Sequence, residues 1–101
     1  MRWSQGGTML YLITYDIADD RRRDDVATVL SGYGPRVQLS VFECELRSRR
    51  EATALRAKLR NLIDPIEDQV RIYPLDERTA RGVVVLGARV IEERQDFWIV
   101  S

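Results

Sequence analysis

The chain has 101 residues, enough for one domain but not two, and its 16 arginine and lysine residues are balanced by 16 acidic ones. It contains no histidine, which excludes Ser-His-Asp triads, histidine-based RNA cleavage and the common zinc sites. Its one cysteine, Cys44, excludes an internal disulfide framework, so any chemistry depends on carboxylates, hydroxyls, arginines or an oxygen-ligated metal.

The N-terminal segment MRWSQGGT lacks the apolar stretch of a signal peptide and indicates a loose extension before the first strand. The longest apolar runs, Met9–Ile13 and Val83–Leu86, fall far short of the roughly 20 residues that span a bilayer. We therefore expect a cytoplasmic protein with an extension over residues 1–8 and a single domain over residues 9–101.

The first predicted elements are a buried strand and an amphipathic helix. Met9–Ile17 is a nearly continuous apolar and aromatic run, as expected of a central strand that is buried on both faces. Asp19 and Asp20 then offer capping oxygens for a helix that ends near Gly32 and Pro35. The apolar stripe of this helix is Val26, Val29, Leu30 and Tyr33.

A second strand and a second helix follow. Arg36–Leu46 has strand composition and alternates polar with apolar residues at several steps. Ser48-x-x-Glu51 is a capping box that opens the helix, and Asp64-Pro65 closes it. The predicted buried stripe is Ala52, Leu55, Leu59 and Leu62, with Arg49, Arg56 and Arg60 on the other faces.

Three further strands are predicted in the C-terminal third of the chain. Val70, Ile72 and Leu75 mark the first, and Pro74 places its end at a sheet edge or a turn. The other two are Gly82–Leu86 and Phe97–Val100. This order of elements predicts one α+β sandwich with the helices on one face of a sheet.

The last predicted strand, formed by Phe97, Trp98, Ile99 and Val100, puts two large aromatic side chains close to the chain end. Such a segment can cover an edge of its own sheet or add a strand to the sheet of a partner, and its side chains fit both arrangements equally well. These four residues are therefore candidate contacts of a homodimer.

The zero net charge conceals an uneven distribution. Residues 36–60 hold seven cations against three anions, whereas residues 61–77 hold one cation against five anions. All of the cations except Lys58 are arginines, whose planar guanidinium suits phosphate and carboxylate recognition. A basic surface for nucleic acid can therefore coexist with an acidic one.

Asp16 is the sharpest candidate for chemistry, because it ends a buried strand, where α/β proteins place functional groups. The alternatives are a turn residue or a cap of the next helix, although Asp19 and Asp20 are better placed to cap it. One aspartate is a poor metal site, but two copies of Asp16 facing each other in a dimer would supply the carboxylates that Mg²⁺ uses. Such a metal would acidify a water and neutralise charge on a phosphodiester.

The charged run Asp19–Asp25 has two interpretations. It is either a solvated helix face with ion pairs between successive turns, or a phosphate-binding group beside Asp16. Residues of the second strand could line the same site, although Phe42 also fits the core. The candidate nucleic-acid contacts are therefore Arg21, Arg22, Arg23, Arg36, Ser40 and Phe42. Cys44 has no histidine to activate it and is predicted to be a small buried hydrophobe.

Four strings occur in a characteristic order: LYLITYDI, ADDRRR, RVQLSVFECEL and VRIYPL. The most specific parts are Tyr15-Asp16 and the pattern Gln-x-Ser-Val-Phe-Glu over Gln38–Glu43. Together they resemble the Cas2 family of CRISPR-associated endonucleases, the small core proteins of spacer acquisition. The resemblance extends from Met9 to about Val100.

This resemblance implies a ferredoxin-like βαββαβ fold, in which residues 36–46 divide into two strands of a hairpin. It also implies a homodimer in which an extra C-terminal strand pairs with the sheet of the other protomer. Asp16 matches the catalytic aspartate, one from each protomer holding a shared Mg²⁺ or Mn²⁺. The supporting residues of the family match Arg23, Arg36, Ser40 and Phe42. One position departs from the family pattern, because Asp25 stands where members often carry a basic residue. Arg21 or Arg22 could take over the role of that missing basic residue.

The resemblance also implies the function. Members cleave single-stranded RNA or double-stranded DNA, and the dimer bridges DNA between two dimers of the Cas1 integrase. We therefore expect a metal-dependent endonuclease that acts with the integrase in spacer acquisition. The alternatives are a non-catalytic DNA-bridging scaffold for the integrase and a toxin-type ribonuclease outside immunity.

Overall fold

Seven elements follow one another along residues 8–89 and residue 91, the part of the chain that the computed structural model describes. They are β1 (Met9–Asp16), α1 (Asp20–Ser31), β2 (Arg36–Gln38), β3 (Val41–Leu46), α2 (Arg49–Leu62), β4 (Gln69–Leu75) and α3 (Glu77–Arg81). β1 begins at Met9, as predicted, and the extension over residues 1–8 stays a prediction because residues 1–7 lie outside the described part.

The four strands form one antiparallel sheet in the order β2-β3-β1-β4. This order and the βαββαβ sequence of elements are those of a ferredoxin-like fold, so the predicted fold class is confirmed. The segment 36–46 divides at Leu39 and Ser40 into β2 and β3, because the chain reverses there and pairs Arg36 with Phe42. β4 occupies the opposite edge of the sheet, which suits the backbone of Pro74, since proline has no N–H to donate.

Both long helices begin and end where the capping residues predict. The Asp19 carboxylate accepts a hydrogen bond from the Arg22 backbone N–H at 2.9 Å, and α1 ends at Gly32. At α2, the Ser48 hydroxyl accepts from the Glu51 N–H at 3.0 Å. The Glu51 carboxylate accepts from the N–H of Arg47, one residue before the cap, so the capping box is displaced by one position. No helix in the described part is long and apolar enough to cross a membrane.

The core lies between the sheet and the helices α1 and α2. Its largest fully buried side chains are Phe42, Ile13, Leu30, Leu55, Val26 and Cys44. Cys44 is buried, so the prediction of a small buried hydrophobe is confirmed, and burial in apolar surroundings raises the pKa of its thiol to about 12.

The opposite side of the sheet is largely uncovered by the described residues, and we call it the open face. It consists of alternate strand residues: Leu10, Leu12, Thr14, Asp16, Val41, Glu43, Glu45, Gln69, Arg71, Tyr73 and Leu75. Of its β1 residues only Leu10 is buried, whereas Leu12 and Thr14 are half-buried and Asp16 is exposed. β1 is central, as predicted, but the expectation that both of its faces are buried is wrong, because α1 and α2 pack on the same face.

The predicted strand over Gly82–Leu86 is wrong. Asp76 caps the short helix α3, which turns the chain after β4, and residues 83–86 have no strand partner in the described part. Val84, Val85 and Leu86 are 76%, 80% and 91% exposed. β-branched composition produces a strand only where the segment pairs with a neighbouring strand, and residues 83–86 do not pair with any strand of the described part. The other predicted strand, Phe97–Val100, lies outside the described residues, and so do the dimer contacts assigned to it.

Candidate functional site

Asp16 ends β1 on the open face of the sheet, directly opposite Gln69 of β4. Its side chain is exposed, and within the described residues its carboxylate forms no hydrogen bond or ion pair. Asp19 caps α1, so Asp16 is not the helix cap. The residue is therefore a free carboxylate at the end of a rigid central strand, where it can bind a cation.

The turn between β2 and β3 packs against the end of β1. The Ser40 carbonyl accepts a hydrogen bond from the Tyr15 N–H at 3.1 Å, and the Leu39 carbonyl accepts from the Tyr15 hydroxyl at 3.3 Å. The Arg36 guanidinium donates to the Tyr15 hydroxyl at 3.5 Å. The structure therefore brings the predicted residues Arg36 and Ser40 next to the residue that precedes Asp16.

Phe42 supports this arrangement from the core. Its side chain is only 1% exposed, and its ring centroid lies 5.3 Å from the Arg36 guanidinium carbon and 6.3 Å from the Tyr15 ring centroid. Arg36 Nε is buried and has no hydrogen-bond partner within the described residues. The main interaction that offsets the cost of burying it is the contact of the guanidinium with the face of the Phe42 ring. Direct stacking of Phe42 on a base would require this packing to open, so we interpret Phe42 as the platform for Arg36.

The three arginines at the start of α1 differ in how freely they can bind phosphate. Arg21 is exposed and has no ion pair within the described residues, whereas Arg23 pairs with Asp20 at 2.7 Å across a well-solvated surface. The Arg22 guanidinium is bound by two carboxylates, Asp68 at 2.8 Å and Glu67 at 3.3 Å. Phosphate binding by Arg22 would have to displace both partners, whereas Arg23 would have to displace one solvated partner and Arg21 none within the described residues.

Asp68, which the sequence analysis did not single out, joins three segments beside Asp16. Its side chain is completely buried and accepts four hydrogen bonds. Two come from the Arg22 guanidinium, at 2.8 and 3.3 Å, and two from the backbone N–H groups of Ala18 at 3.0 Å and Asp64 at 2.8 Å. Asp68 thereby ties the loop after Asp16 to α1 and to the loop before β4. Its position directly before a predicted strand was the only signal in the sequence.

These contacts shift two pKa values in opposite directions. The hydrogen bond from Arg22 holds the pKa of Asp68 well below its usual range, and the N–H groups of Asp64 and Ala18 act in the same direction against the effect of desolvation. The hydrogen bond to Asp68 raises the pKa of Arg22. The pair therefore stays ionised throughout the physiological range.

We expect Asp68→Asn to lower the stability of the protein, because the half-buried Arg22 guanidinium loses its main counter-charge. The depressed pKa of Asp68 stabilises the native state above the unfolded value of about 4, and this contribution is lost as the pH falls towards the folded value. In urea unfolding, the free energy of unfolding of the variant should therefore be much lower than that of the wild type at pH 7. This difference should become smaller below about pH 5.

The matched control for this substitution is Asp24→Asn, at an exposed carboxylate on the same helix as Arg22. Its stability should stay within about 0.5 kcal/mol of the wild type at both pH values. Equal losses for Asp24→Asn and Asp68→Asn, or a difference that does not depend on pH, would show that Asp68 is not the stabilising carboxylate.

β4 adds a cation to the open face that the sequence analysis also missed. Arg71 lies opposite Thr14, two residues from Asp16, and its guanidinium donates to Gln69 Oε1 at 2.9 Å and to the Tyr73 hydroxyl at 3.2 Å. The bond to Tyr73 raises the pKa of Arg71. The alternation of Gln69, Arg71 and Tyr73 with apolar residues was the signal that they share a face. Arg71 is the one cation of the open face, held in place beside Asp16.

The described residues limit how a metal could be held. No three aspartate, glutamate or cysteine side chains converge to form a metal site within residues 8–89. The exposed carboxylate of Asp16 has the oxygen chemistry that Mg²⁺ and Mn²⁺ prefer, but it supplies at most two ligand atoms. It therefore fits a divalent cation only where a second carboxylate, a substrate phosphate and waters complete the coordination.

Comparison with protein families gives one match. The family model described as CRISPR associated protein Cas2 matches residues 9–83. The chain is 49% identical over 78 residues to the CRISPR-associated endoribonuclease Cas2 3 of Synechocystis, covering 77% of this chain and 84% of the relative. It is 44% identical over 94 residues to the CRISPR-associated endonuclease Cas2 2 of Thermus thermophilus, covering 93% and 99%.

Solved structures show the same similarity. Cas2 of Streptococcus pyogenes superposes with a TM-score of 0.70 at 36% identity, over 78% of this chain and all of that chain. A chain of a partial Cas6-RT-Cas1–Cas2 complex superposes with a TM-score of 0.69 at 31% identity, over 77% of this chain and 90% of that one.

Proposed function

Because this chain belongs to the Cas2 family of CRISPR-associated proteins, we propose that it is a metal-dependent endonuclease of spacer acquisition. Its substrate is single-stranded RNA or duplex DNA, and its partner is the Cas1 integrase. The observation that carries the proposal is the free carboxylate of Asp16 at the end of β1, with Arg71 on the same face and Arg36 and Ser40 beside Tyr15. Membership of this family favours a role in immunity over a toxin-type ribonuclease.

Each side chain of the site has a distinct task in this proposal. Asp16 holds Mg²⁺ or Mn²⁺, which when bound neutralises charge on the phosphodiester and makes a nucleophilic water more acidic. Arg71, held by Gln69 and Tyr73, binds a non-bridging phosphate oxygen. Arg36 does the same from the other side of β1, with its position maintained by the Tyr15 hydroxyl and the Phe42 ring.

The active form in this proposal is a homodimer, with one Asp16 from each protomer at a shared metal. Two features support it. The open face keeps Leu12 and Tyr73 accessible, Val84, Val85 and Leu86 are exposed, and β4 is unpaired on its outer side within the described residues. A second copy would bury these apolar groups and satisfy the β4 edge by strand addition. Phe97–Val100 remain the predicted dimer contacts from the sequence.

The proposed activity is tested with purified protein, labelled single-stranded RNA and labelled duplex DNA. We expect cleavage of at least one substrate with Mg²⁺ or Mn²⁺, and none in EDTA. The rate should rise with pH between about 6 and 8, because a water bound to the metal loses its proton more readily as the pH rises and hydroxide is the better nucleophile. Light scattering should report a dimer. Cleavage that persists in EDTA, or a monomer that cleaves at full rate, would contradict the proposal.

A second candidate function is a non-catalytic scaffold that bridges DNA between integrase dimers. It is favoured by the likeness to a chain in a complex named for both Cas1 and Cas2, since a structural role there needs only the fold and the surface. An acquisition assay in cells separates the two functions. Spacer uptake that continues with Asp16→Asn but stops when residues 97–100 are removed would identify the scaffold as the physiological role.

A further inference from the structure

Helix α2 carries an unusual excess of positive charge on its solvent-exposed surface. Arg49, Arg50, Arg56, Lys58 and Arg60 are all exposed, and Arg47 directly precedes the helix. The one acidic residue of α2, Glu51, is used by the capping interaction with the Arg47 N–H. The helix is amphipathic, with Ala52, Leu55 and Leu59 buried in the core, so its cations cannot turn inwards.

Three of these arginines form a straight row. At 100° per residue, Arg49, Arg56 and Arg60 fall within about 40° of one another, on one flank of the helix and away from the buried stripe. With a rise of about 1.5 Å per residue, the row is about 16 Å long. We call these three residues the α2 arginine row.

The α2 arginine row forms no ion pair within the described residues, unlike three of the five arginines of α1 and α3. Within residues 8–89, Arg22 and Arg23 of α1 and Arg81 of α3 all form ion pairs with carboxylates, whereas the row forms none. Unpaired arginines in close succession repel one another, so the row gains free energy from any polyanion that bridges them.

We propose that the α2 arginine row is a second nucleic-acid contact, separate from the Asp16 site, that binds several phosphates along one strand. This inference rests on the proposed function, because it takes nucleic acid as the ligand. A strand of duplex DNA presents one phosphate per about 3.4 Å of helix axis, so a row of about 16 Å spans about five phosphates and can neutralise three of them.

The direction of α2 connects the two sites. α2 begins after the end of β3, where Leu46 pairs with Met9, and runs to the loop that contains Asp68 beside the start of α1. Arg60 is therefore near the end of the fold that carries Asp16, and Arg49 is near the opposite end. A nucleic acid bound along the row extends towards the Asp16 site without occupying it.

The test measures how the affinity for duplex DNA depends on salt, by fluorescence anisotropy in EDTA so that nothing is cleaved. The triple variant Arg49→Gln, Arg56→Gln, Arg60→Gln removes the row and keeps good helix formers. We expect its plot of log affinity against log salt to be less steep by about 2 to 3 units, and its affinity at low salt to fall at least about tenfold. Replacing the same three residues by Lys should restore most of the slope.

The matched control changes the net charge equally at another place, with Arg78→Gln, Arg81→Gln and Arg89→Gln on and after α3, where all three arginines are exposed. We expect this variant to keep nearly the wild-type slope. Equal losses in the two triple variants, or an unchanged slope in the row variant, would overturn the inference and leave the proposed function intact. A wild type that binds no duplex at any salt concentration would contradict DNA binding in the proposed function, and the row would fall with it.

Discussion

Asp16→Asn is expected to lower the rate of metal-dependent phosphodiester cleavage by at least about 100-fold, because residues that only support a metal ligand already cost about 10- to 100-fold when removed. The amide keeps the size of the side chain and loses the charge that attracts a divalent cation. Asp16 is exposed and accepts no hydrogen bond in the described part of the chain, so the fold and its stability should not change.

The measurement compares cleavage by wild type and Asp16→Asn over a Mg²⁺ series, with thermal unfolding and light scattering to check fold and dimer. Asp24→Asn is the control, because it removes one exposed carboxylate outside the site and should cleave at the wild-type rate. If the variant recovers full activity at high Mg²⁺, Asp16 contributes only to the affinity for the metal and not to the cleavage step. Full activity at every Mg²⁺ concentration would exclude Asp16 from the reaction.

Gly34→Ala is expected to destabilise the fold by about 3 kcal/mol or more, the largest effect that we foresee on stability. A Cβ at this position would lie 1.8 Å from the Glu43 carbonyl oxygen and 2.9 Å from Cys44 Cα. These are backbone atoms of β3 and cannot move aside as a side chain would. The flanking residues hold the segment in place, since the carbonyls of Tyr33 and Pro35 accept hydrogen bonds from Glu45 and Glu43 at 3.0 Å.

Gly32→Ala is the natural control, two residues away. Its φ of −77° is ordinary for alanine, and the nearest atom to the added Cβ is the Val29 carbonyl oxygen at 3.4 Å. We expect a change within about 1 kcal/mol of the wild type, in either direction. Urea unfolding of both variants gives the comparison, and similar midpoints for Gly34→Ala and Gly32→Ala would show that the close approach to β3 is relieved elsewhere.

Most of the fold follows from local patterns in the sequence. The oxygens of Asp19 and Ser48 and the helical spacing of Val26 and Leu30 depend only on neighbours within a few residues, and the structure confirms both long helices. The strand predicted over residues 82–86 is wrong because strand formation depends on contacts with distant residues, not on local pattern alone. The valines of this segment favour a strand, but a strand also needs a partner edge, and neighbouring residues carry no information about that edge.

The candidate site divides in the same way. Asp16 stands out because it ends a strongly apolar run, and Arg36 and Ser40 are candidates from their place on the second strand that the resemblance to the Cas2 family then matches. Asp68 and Arg71 were missed because their significance depends on contacts across the fold. The Ala18 N–H bonds a carboxylate 50 residues further along the chain, and Arg71 comes beside Asp16 only through the pairing of β1 with β4.

The sequence by itself therefore determined the chemistry that is possible here. Without histidine, and with one cysteine buried in the core, it leaves carboxylates and arginines, and the order of strands and helices leads to the ferredoxin-like sandwich. Only the tertiary structure decided which of the balanced charges are available. Arg22 is neutralised by Asp68, whereas Asp16, Arg71 and the α2 arginine row keep their charge exposed. The physical reason is that the number of charges can be counted from the sequence, whereas ion pairing depends on distances of a few ångströms that only folding sets.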